Sequence, residues 1–468
     1  MPGVDVKEYT RLDATGLREL IARGEVSAAE VDAVAREAIG TANAVVNGLA
    51  QPLFDTALAH DESGPLGGVP FLLKDGPMAE GVEFNFGSRA LNGIRARHDS
   101  DLMRHFRAAG LAALGVTTVP ELALSFATEP VRNGPTCNPW ALDRGVGGSS
   151  GGAAALVAAG AVPVAHANDA AGSIRIPASA CGLVGLKPSR GRVSCGPDSG
   201  DPAFGAAEEF AVTRTVRDAA LLLDAVHGPG IGGKYTAPPP ARRYVEELTA
   251  QPGRLRVAIS TRSWSGSTVD PEVAAVAERV GLLFDEVTVA DPELDWDDVV
   301  RAAAAEAVAI GGAYLNAPRR PPVARMEAVS RQIMAEADAL SAMDLMRMLD
   351  AQNRVSRRVG AFFTDYDVLI TPTIAQLPPK HGTLSSDRDG YTMESWLRTL
   401  FDLGPFTVAF NLAGQPAISL PLGMSESGVP IGVQFVAGYG REDLLLRLAA
   451  RCEREMPWAD RIAPHAIG

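Results

Sequence analysis

Three stretches of the chain bring together residue types that can break an acyl bond. They are Gly147-Gly148-Ser149-Ser150-Gly151-Gly152, Asp169-Ala170-Ala171-Gly172-Ser173, and Lys74 at the end of Val69-Pro70-Phe71-Leu72-Leu73. The run from Ala170 to Ser173 sets consecutive backbone N–H groups beside a serine, which is what acyl transfer needs: a nucleophile next to fixed donors for a developing oxyanion. A serine hydroxyl also needs a base. His166 and Asp169 are near in sequence, but a strand's period of two fixes where His166 points, and local closeness does not make a Ser, His, Asp geometry. His166 therefore reads as a structural group. Lys74 is the other candidate, because it follows a run that reads as a buried strand, where a charge is unfavourable and a desolvated lysine can become a neutral base. Arginine cannot do this. Only five of the 43 basic residues are lysine (Lys7, Lys74, Lys187, Lys234, Lys380), so Lys74 stands against a strong preference for arginine. It lies far upstream of Ser173, and sequence alone leaves their meeting open.

The first glycine loop lacks the Lys-Ser/Thr ending of a phosphate-binding P-loop and the GxGxxG spacing. A plain flexible turn remains the alternative reading. The other histidines (His60, His98, His105, His227, His381, His465) show no HExxH or other metal-ligand spacing, so no metal or cofactor is expected.

Such residues must be carried by a layered sheet. Residues 10–50 read as helices, with Leu17, Leu20 and Ile21 on one face and a Ser27/Glu30 capping box. From about 60 to 235, short apolar runs alternate with helical stretches: Val69 to Leu73, Asp99 to Ala109, Leu111 to Leu114, Ala153 to Ala159, Val162 to Ala167 and Val216 to Val226. That alternation indicates an α/β protein. Residues 271–365 read as a helical insert, and strand-like runs return within 366–456, at Asp367 to Ile370, Ala417 to Leu420 and Ile431 to Val436, before a closing helix Glu442 to Glu455. One sheet built from two separated segments, hence one large domain over residues 1–468, is the expected organisation.

With 43 Lys plus Arg against 56 Asp plus Glu, the net charge is −13 and no basic stripe is present, which argues against nucleic acid or an anionic membrane as partner. Four cysteines without a CxxC pair read as reduced thiols, the start MPGVDVKEYTRLDA lacks the apolar region of a signal peptide, and no apolar run is long enough to span a bilayer. A cytoplasmic protein, monomeric or homodimeric, is expected.

The stretch from Gly147 to Ser189, GGSSGGAAALVAAGAVPVAHANDAAGSIRIPASACGLVGLKPS, closely resembles the amidase signature family. Collinear agreement continues in GGVPFLLKD (67–75), NPW (138–140), VRDAALLLD (216–224), GQPAISLPLG (414–423) and GVPIGVQFVAGYGREDLLL (428–446). The resemblance implies the family fold, a large open twisted mixed β-sheet covered by helices on both faces. It also implies an amidohydrolase that cleaves the C–N bond of a linear or cyclic, small or oligomeric carboxamide through an acyl-enzyme. In that likeness Ser173 matches the nucleophile, Ser149 the serine after a cis peptide, Lys74 the terminal base, and the N–H groups of Ala170, Ala171, Gly172 and Ser173 the oxyanion hole. Ala171 stands where many relatives carry glycine and marks a subgroup. Arg175 and Asp169 are expected to brace the nucleophile loop, Cys137 to be a small buried thiol, and Phe406, Asn411 and Gln415 to lie in a segment bordering the pocket. The same signature fits the amidase subunit of a glutamine-dependent tRNA amidotransferase, or a binding protein that has lost catalysis. Intact Lys74, Ser149 and Ser173 speak against the last.

Overall fold

Apolar runs flanked by turn residues become strands, and most of them join one sheet. The computed structural model describes residues 5–317 and 320–467, so the first four residues of the N-terminal stretch read above lie outside it. The strands β1 (Val69–Lys74), β2 (Leu111–Thr117), β3 (Val164–Asp169), β4 (Val184–Lys187), β5 (Glu208–Thr213), β6 (Val257–Ile259), β7 (Val287–Val289), β8 (Val368–Pro372), β9 (Ala417–Met424) and β10 (Pro430–Ala437) form a ten-stranded sheet. Their order is β7-β6-β8-β10-β9-β4-β5-β3-β1-β2. Pairing is parallel at the two ends, among β2, β1 and β3 and among β8, β6 and β7, and antiparallel through the middle. The fold is thus the mixed α/β sheet that the resemblance implies. Every residue of β1 and β2 is buried, as strands covered on both faces require.

The two separated segments meet at one seam. There β9 pairs antiparallel with β4, Ala417 opposite Lys187 and Ser419 opposite Gly185. Fifteen α-helices pack around the sheet among the described residues, and none of them is long and apolar enough to cross a membrane. The capping box at Ser27 forms as read, with Glu30 N–H donating to Ser27 Oγ at 3.2 Å and Ser27 N–H to Glu30 Oε2 at 2.8 Å.

Four strands were not singled out in the sequence: β4 and β5, which lie inside the first expected core segment, and β6 and β7, which lie outside the segments expected to carry the sheet. β6 lies outside both expected core segments, and β7 falls within the expected helical insert yet extends the sheet edge. Each is only three residues long, too short for the alternation that betrays a strand, and two of the three β7 residues are exposed. The rest of the insert is helical, over Pro271–Gly281, Trp296–Leu315, Ala328–Ala339 and Ala342–Asp365.

The turn that follows β3 is held from beneath by a fully buried ion pair. Asp169 at the strand's end accepts from Arg175 Nε and Nη2, both at 2.9 Å, and neither side chain has any solvent exposure. The remaining guanidinium N–H groups reach the C-terminal half: Nη1 donates to Thr407 O at 3.0 Å and Gln434 Oε1 at 2.8 Å, and Nη2 to Asn411 Oδ1 at 2.5 Å. All five donors of the fork are therefore used. Burial opposes ionisation of Asp169, but the charge and hydrogen bonds of Arg175 prevail and hold its carboxyl far below the usual range. Asn411 Nδ2 donates to both Asp169 O and Asp169 Oδ1 at 2.8 Å, completing the bridge between halves.

Removing one partner of such a pair leaves an uncompensated buried charge, which is destabilising by about 3–5 kcal/mol. Arg175→Met is accordingly expected to lower the unfolding free energy read from urea denaturation by an amount of that order, whereas replacing the exposed Arg254, which is 89% exposed and, among the described residues, paired only with Glu286, should leave it within error.

Candidate active site

The parallel trio β2, β1 and β3 delivers Lys74 and the second loop to the same edge of the sheet. Lys74 ends β1 and is 2% exposed. Its Nζ donates to Ser149 Oγ at 2.8 Å, to Ser150 Oγ at 2.8 Å and to Asn168 Oδ1 at 2.5 Å. Burial is the largest influence on this amine and pushes its pKa down from 10.5 to about 7, against the opposing charges of Glu209, Asp169 and Asp75. A residue with that proton affinity is a base near neutral pH.

The glycine loop is not a flexible turn. A Cβ on Gly148 would lie 2.6 Å from Ser125 O and 2.9 Å from Phe126 C, so the backbone itself is packed too closely for a side chain. Thr128 Oγ1 donates to Gly147 O at 2.9 Å, and the peptide between Gly148 and Ser149 is cis. The buried helix Gly151–Ala158 starts immediately after Ser150 and fixes both hydroxyls at the amine.

The second loop is shaped by Asp169. Its carboxylate accepts from Gly172 N–H at 2.7 Å and Ile174 N–H at 3.1 Å. Gly172 has φ +138, and a Cβ there would meet Thr407 Oγ1 and Ile176 Cδ1 at 2.7 Å, so glycine is required. The N–H groups of Ala170, Ala171 and Ser173 meet no acceptor among the described residues, while that of Gly172 is already taken. Of the four N–H groups expected to form an oxyanion hole, three are thus free among the described residues and that of Gly172 is engaged by Asp169. Ser173 is 6% exposed, and its hydroxyl makes no hydrogen bond among the described residues. Lys74 and Ser149 are directly linked; Ser173 belongs to the neighbouring loop without a bond to either.

His166 is the satisfied structural group that its strand position implies. Its Nδ1 accepts from Lys74 N–H at 3.2 Å, and its Nε2 lies 2.7 Å from Glu209 Oε2. Glu209 and Asn168 were not singled out in the sequence. Period-two alternation puts Asn168 on the face of His166, which is a usable signal, but Glu209 comes opposite Asn168 only through the β3–β5 register. Gln434 was likewise overlooked, although it lies in a matched motif. Among the residues of the return segment, Asn411 is built into the brace of the Ser173 loop, whereas Gln415 Oε1 is buried without a partner among the described residues. Cys137 corrects an expectation: it is partly exposed, because it lies on a short two-stranded ribbon away from the core, beside His381. Hydrogen bonding to Cys137 and then Glu129 raises the pKa of His381 to about 10.

The family profile described as Amidase matches residues 17–446. The chain is 40% identical over 474 residues to "6-aminohexanoate-cyclic-dimer hydrolase" of Paenarthrobacter ureafaciens, covering 96% of each. Among solved structures, a 6-aminohexanoate cyclic dimer hydrolase complexed with substrate superposes with TM-score 0.92 at 39% identity, over 98% of this chain and 100% of that one. A bacterial aryl acylamidase follows with TM-score 0.82 at 26% identity, covering 97% of this chain and 99% of that one. With its sheet, its two serine-bearing loops and a profile match along nearly all of its length, the chain belongs to the Amidase family, the amidase signature enzymes.

Proposed function

We propose that this amidase cleaves its carboxamide through a Lys74, Ser149, Ser173 relay and a Ser173 acyl-enzyme. One observation carries the assignment of roles: the hydrogen-bond accounting at Lys74 Nζ. An ammonium has three hydrogens for the three partners Ser149, Ser150 and Asn168. A neutral amine has two hydrogens and one lone pair, so one partner must then give a proton. The Asn168 oxygen can only accept, and the Ser150 hydroxyl already donates to Asn168 O at 3.3 Å. Ser149 is left as the hydroxyl whose proton goes to the lone pair.

The chemistry follows. Neutral Lys74 draws the proton of Ser149, Ser149 draws that of Ser173, and the Ser173 oxygen attacks the amide carbonyl. The second transfer needs Ser173 Oγ within hydrogen-bond distance of Ser149 Oγ, and catalytic hydrogen bonds that are long in unliganded enzymes commonly tighten with substrate. Negative charge on the carbonyl oxygen is met by the free N–H groups of Ala170, Ala171 and Ser173, each donor of this kind contributing roughly 2.7–4 kcal/mol to the transition state. Protons return along the same path to the departing nitrogen, and water then releases the acid.

The names of the relatives support a small or oligomeric carboxamide, cyclic or linear, as substrate. Four free cysteines support a cytoplasmic enzyme. A hydrolysis panel running from short aliphatic amides through anilides to cyclic amide dimers resolves the substrate class. On any accepted amide, Ser173→Ala is expected to abolish turnover and labelling by a fluorophosphonate. Ser149→Ala should lower kcat by about 10²–10⁴-fold, the usual worth of a proton-transfer partner, and Ser150→Ala by much less. Full activity of Ser173→Ala would overturn the reading.

The pH dependence has a definite sign. Lys74 acts as a base only without its proton, and its pKa is lowered to about 7. Thus kcat/KM should rise about tenfold per pH unit below the midpoint and level off above pH 8, with the acid limb centred near 7. A profile already flat down to pH 5 would exclude Lys74 as the base.

A further inference from the structure

Lys74 is gripped at both of its nitrogens by one closed circuit of hydrogen bonds. Its backbone N–H donates to His166 Nδ1 at 3.2 Å, so that ring nitrogen carries no proton. The imidazole proton is then on Nε2 and is donated to Glu209 Oε2, 2.7 Å away. The other carboxylate oxygen, Glu209 Oε1, accepts from Asn168 Nδ2 at 3.2 Å. That bond sets the orientation of the Asn168 amide and turns its Oδ1 toward Lys74 Nζ, closing the circuit at 2.5 Å. The geometry is built into the sheet. His166 and Asn168 are two residues apart on β3, Glu209 sits opposite Asn168 on β5, and the His166 ring is 1% exposed and packed edge-on against Phe106 at 5.7 Å between centroids.

We propose that Asn168, Glu209 and His166 are positioning residues that aim the Lys74 amine at Ser149 and, through the charge of Glu209, set the pH range in which it serves as base. The inference rests on the reading of Lys74 as the base. Its physical content is that Asn168 Oδ1 accepts in both protonation states of the amine and so keeps one N–H permanently occupied. The lone pair of the neutral amine is left to the serine loop. Were the amide reversed, Asn168 Nδ2 would donate to that lone pair and quench the base; Glu209 prevents the reversal because it can only accept. The charged and titratable groups facing the amine are Asp75 on its own segment, Asp169 and neutral His166 on β3, and Glu209 on β5; its neighbours Ser149, Ser150 and Thr117 are uncharged. Asp169 is neutralised by Arg175, and Asp75 accepts Asn85 N–H at 2.9 Å and Gly87 N–H at 3.1 Å, which leaves Glu209 as the carboxylate wired to the amine through a shared side chain.

The test uses two variants whose effects have opposite signs. Glu209→Gln removes an anion and should move the Lys74 midpoint down by about one pH unit; Asn168→Asp places an anion against the amine and should move it up by at least as much. Both should lower kcat at pH 8 by tenfold or more with little change in KM, because aim is lost while substrate contacts remain. The midpoint is read without turnover in full-length protein carrying 13Cε-lysine. Five lysines give five signals, and Lys74→Met identifies the one that matters. Should Asn168→Asp not fold, Asn168→Ser replaces it, retaining an acceptor but no link to Glu209, and should lower kcat with the midpoint displaced from wild type. Folded variants that titrate at the wild-type pH, or Glu209→Gln and Asn168→Asp shifts of the same sign, overturn the proposal. Because the titration needs no catalysis, retained activity of Ser173→Ala would sink the functional reading while leaving this measurement to judge the circuit separately.

Discussion

Removal of a single amine from water is the constraint around which the site is arranged. Lys74 ends a strand buried along its whole length, and burial alone outweighs three nearby carboxylates in bringing its proton affinity down to about 7. In water the same side chain would hold its proton until about pH 10. An amine so placed cannot be left without partners, since an unsatisfied buried polar group destabilises the fold. The three partners around Nζ answer that requirement, and the proposed chemistry uses one of them.

The amine is useful only if two loops from different parts of the chain stay beside it. The loop of Ser149 is held by close backbone packing against Ser125 and Phe126, which admits nothing larger than glycine. The loop of Ser173 is held differently, by charge. Asp169 gathers its N–H groups and is itself neutralised by Arg175, whose remaining donors reach Thr407, Asn411 and Gln434. One loop is thus pinned by shape and the other by a buried ionic network, and the network also joins the halves of the sheet that meet where β9 pairs with β4. The glycines and the arginine of the signature thus shape the two loops that carry the serines.

Opposing effects of burial recur around the site and separate the roles of like residues. Asp169 is driven to stay ionised by a paired arginine, while Asp75, buried with only backbone donors in hydrogen-bonding contact, is pushed up to about 6. Glu209, bonded to His166 and Asn168, is held below its usual range despite burial. Two serines at equal distance from the same amine differ through one further contact, the bond from Ser150 to Asn168 O.

Much of this was legible in the chain itself. Unbroken apolar runs and their helical intervals specify a layered α/β sheet, because burial on two faces and burial on one stripe leave different periods. The long signature singled out Lys74, Ser149 and Ser173 as the groups proposed to react, and local spacing placed Asp169 and Arg175 as a brace. Other features required the folded chain. β7 is three residues long and largely exposed, so it carried no period to read. The occupied N–H of Gly172 depends on where a carboxylate turns, and Glu209 reaches the surroundings of Lys74 only through the register of two antiparallel strands. Residue type and short-range period are properties of the sequence, and they determined the fold class and the candidates for the reacting groups; which proton each group can give or take is a matter of distances between distant segments, and only tertiary structure decided it.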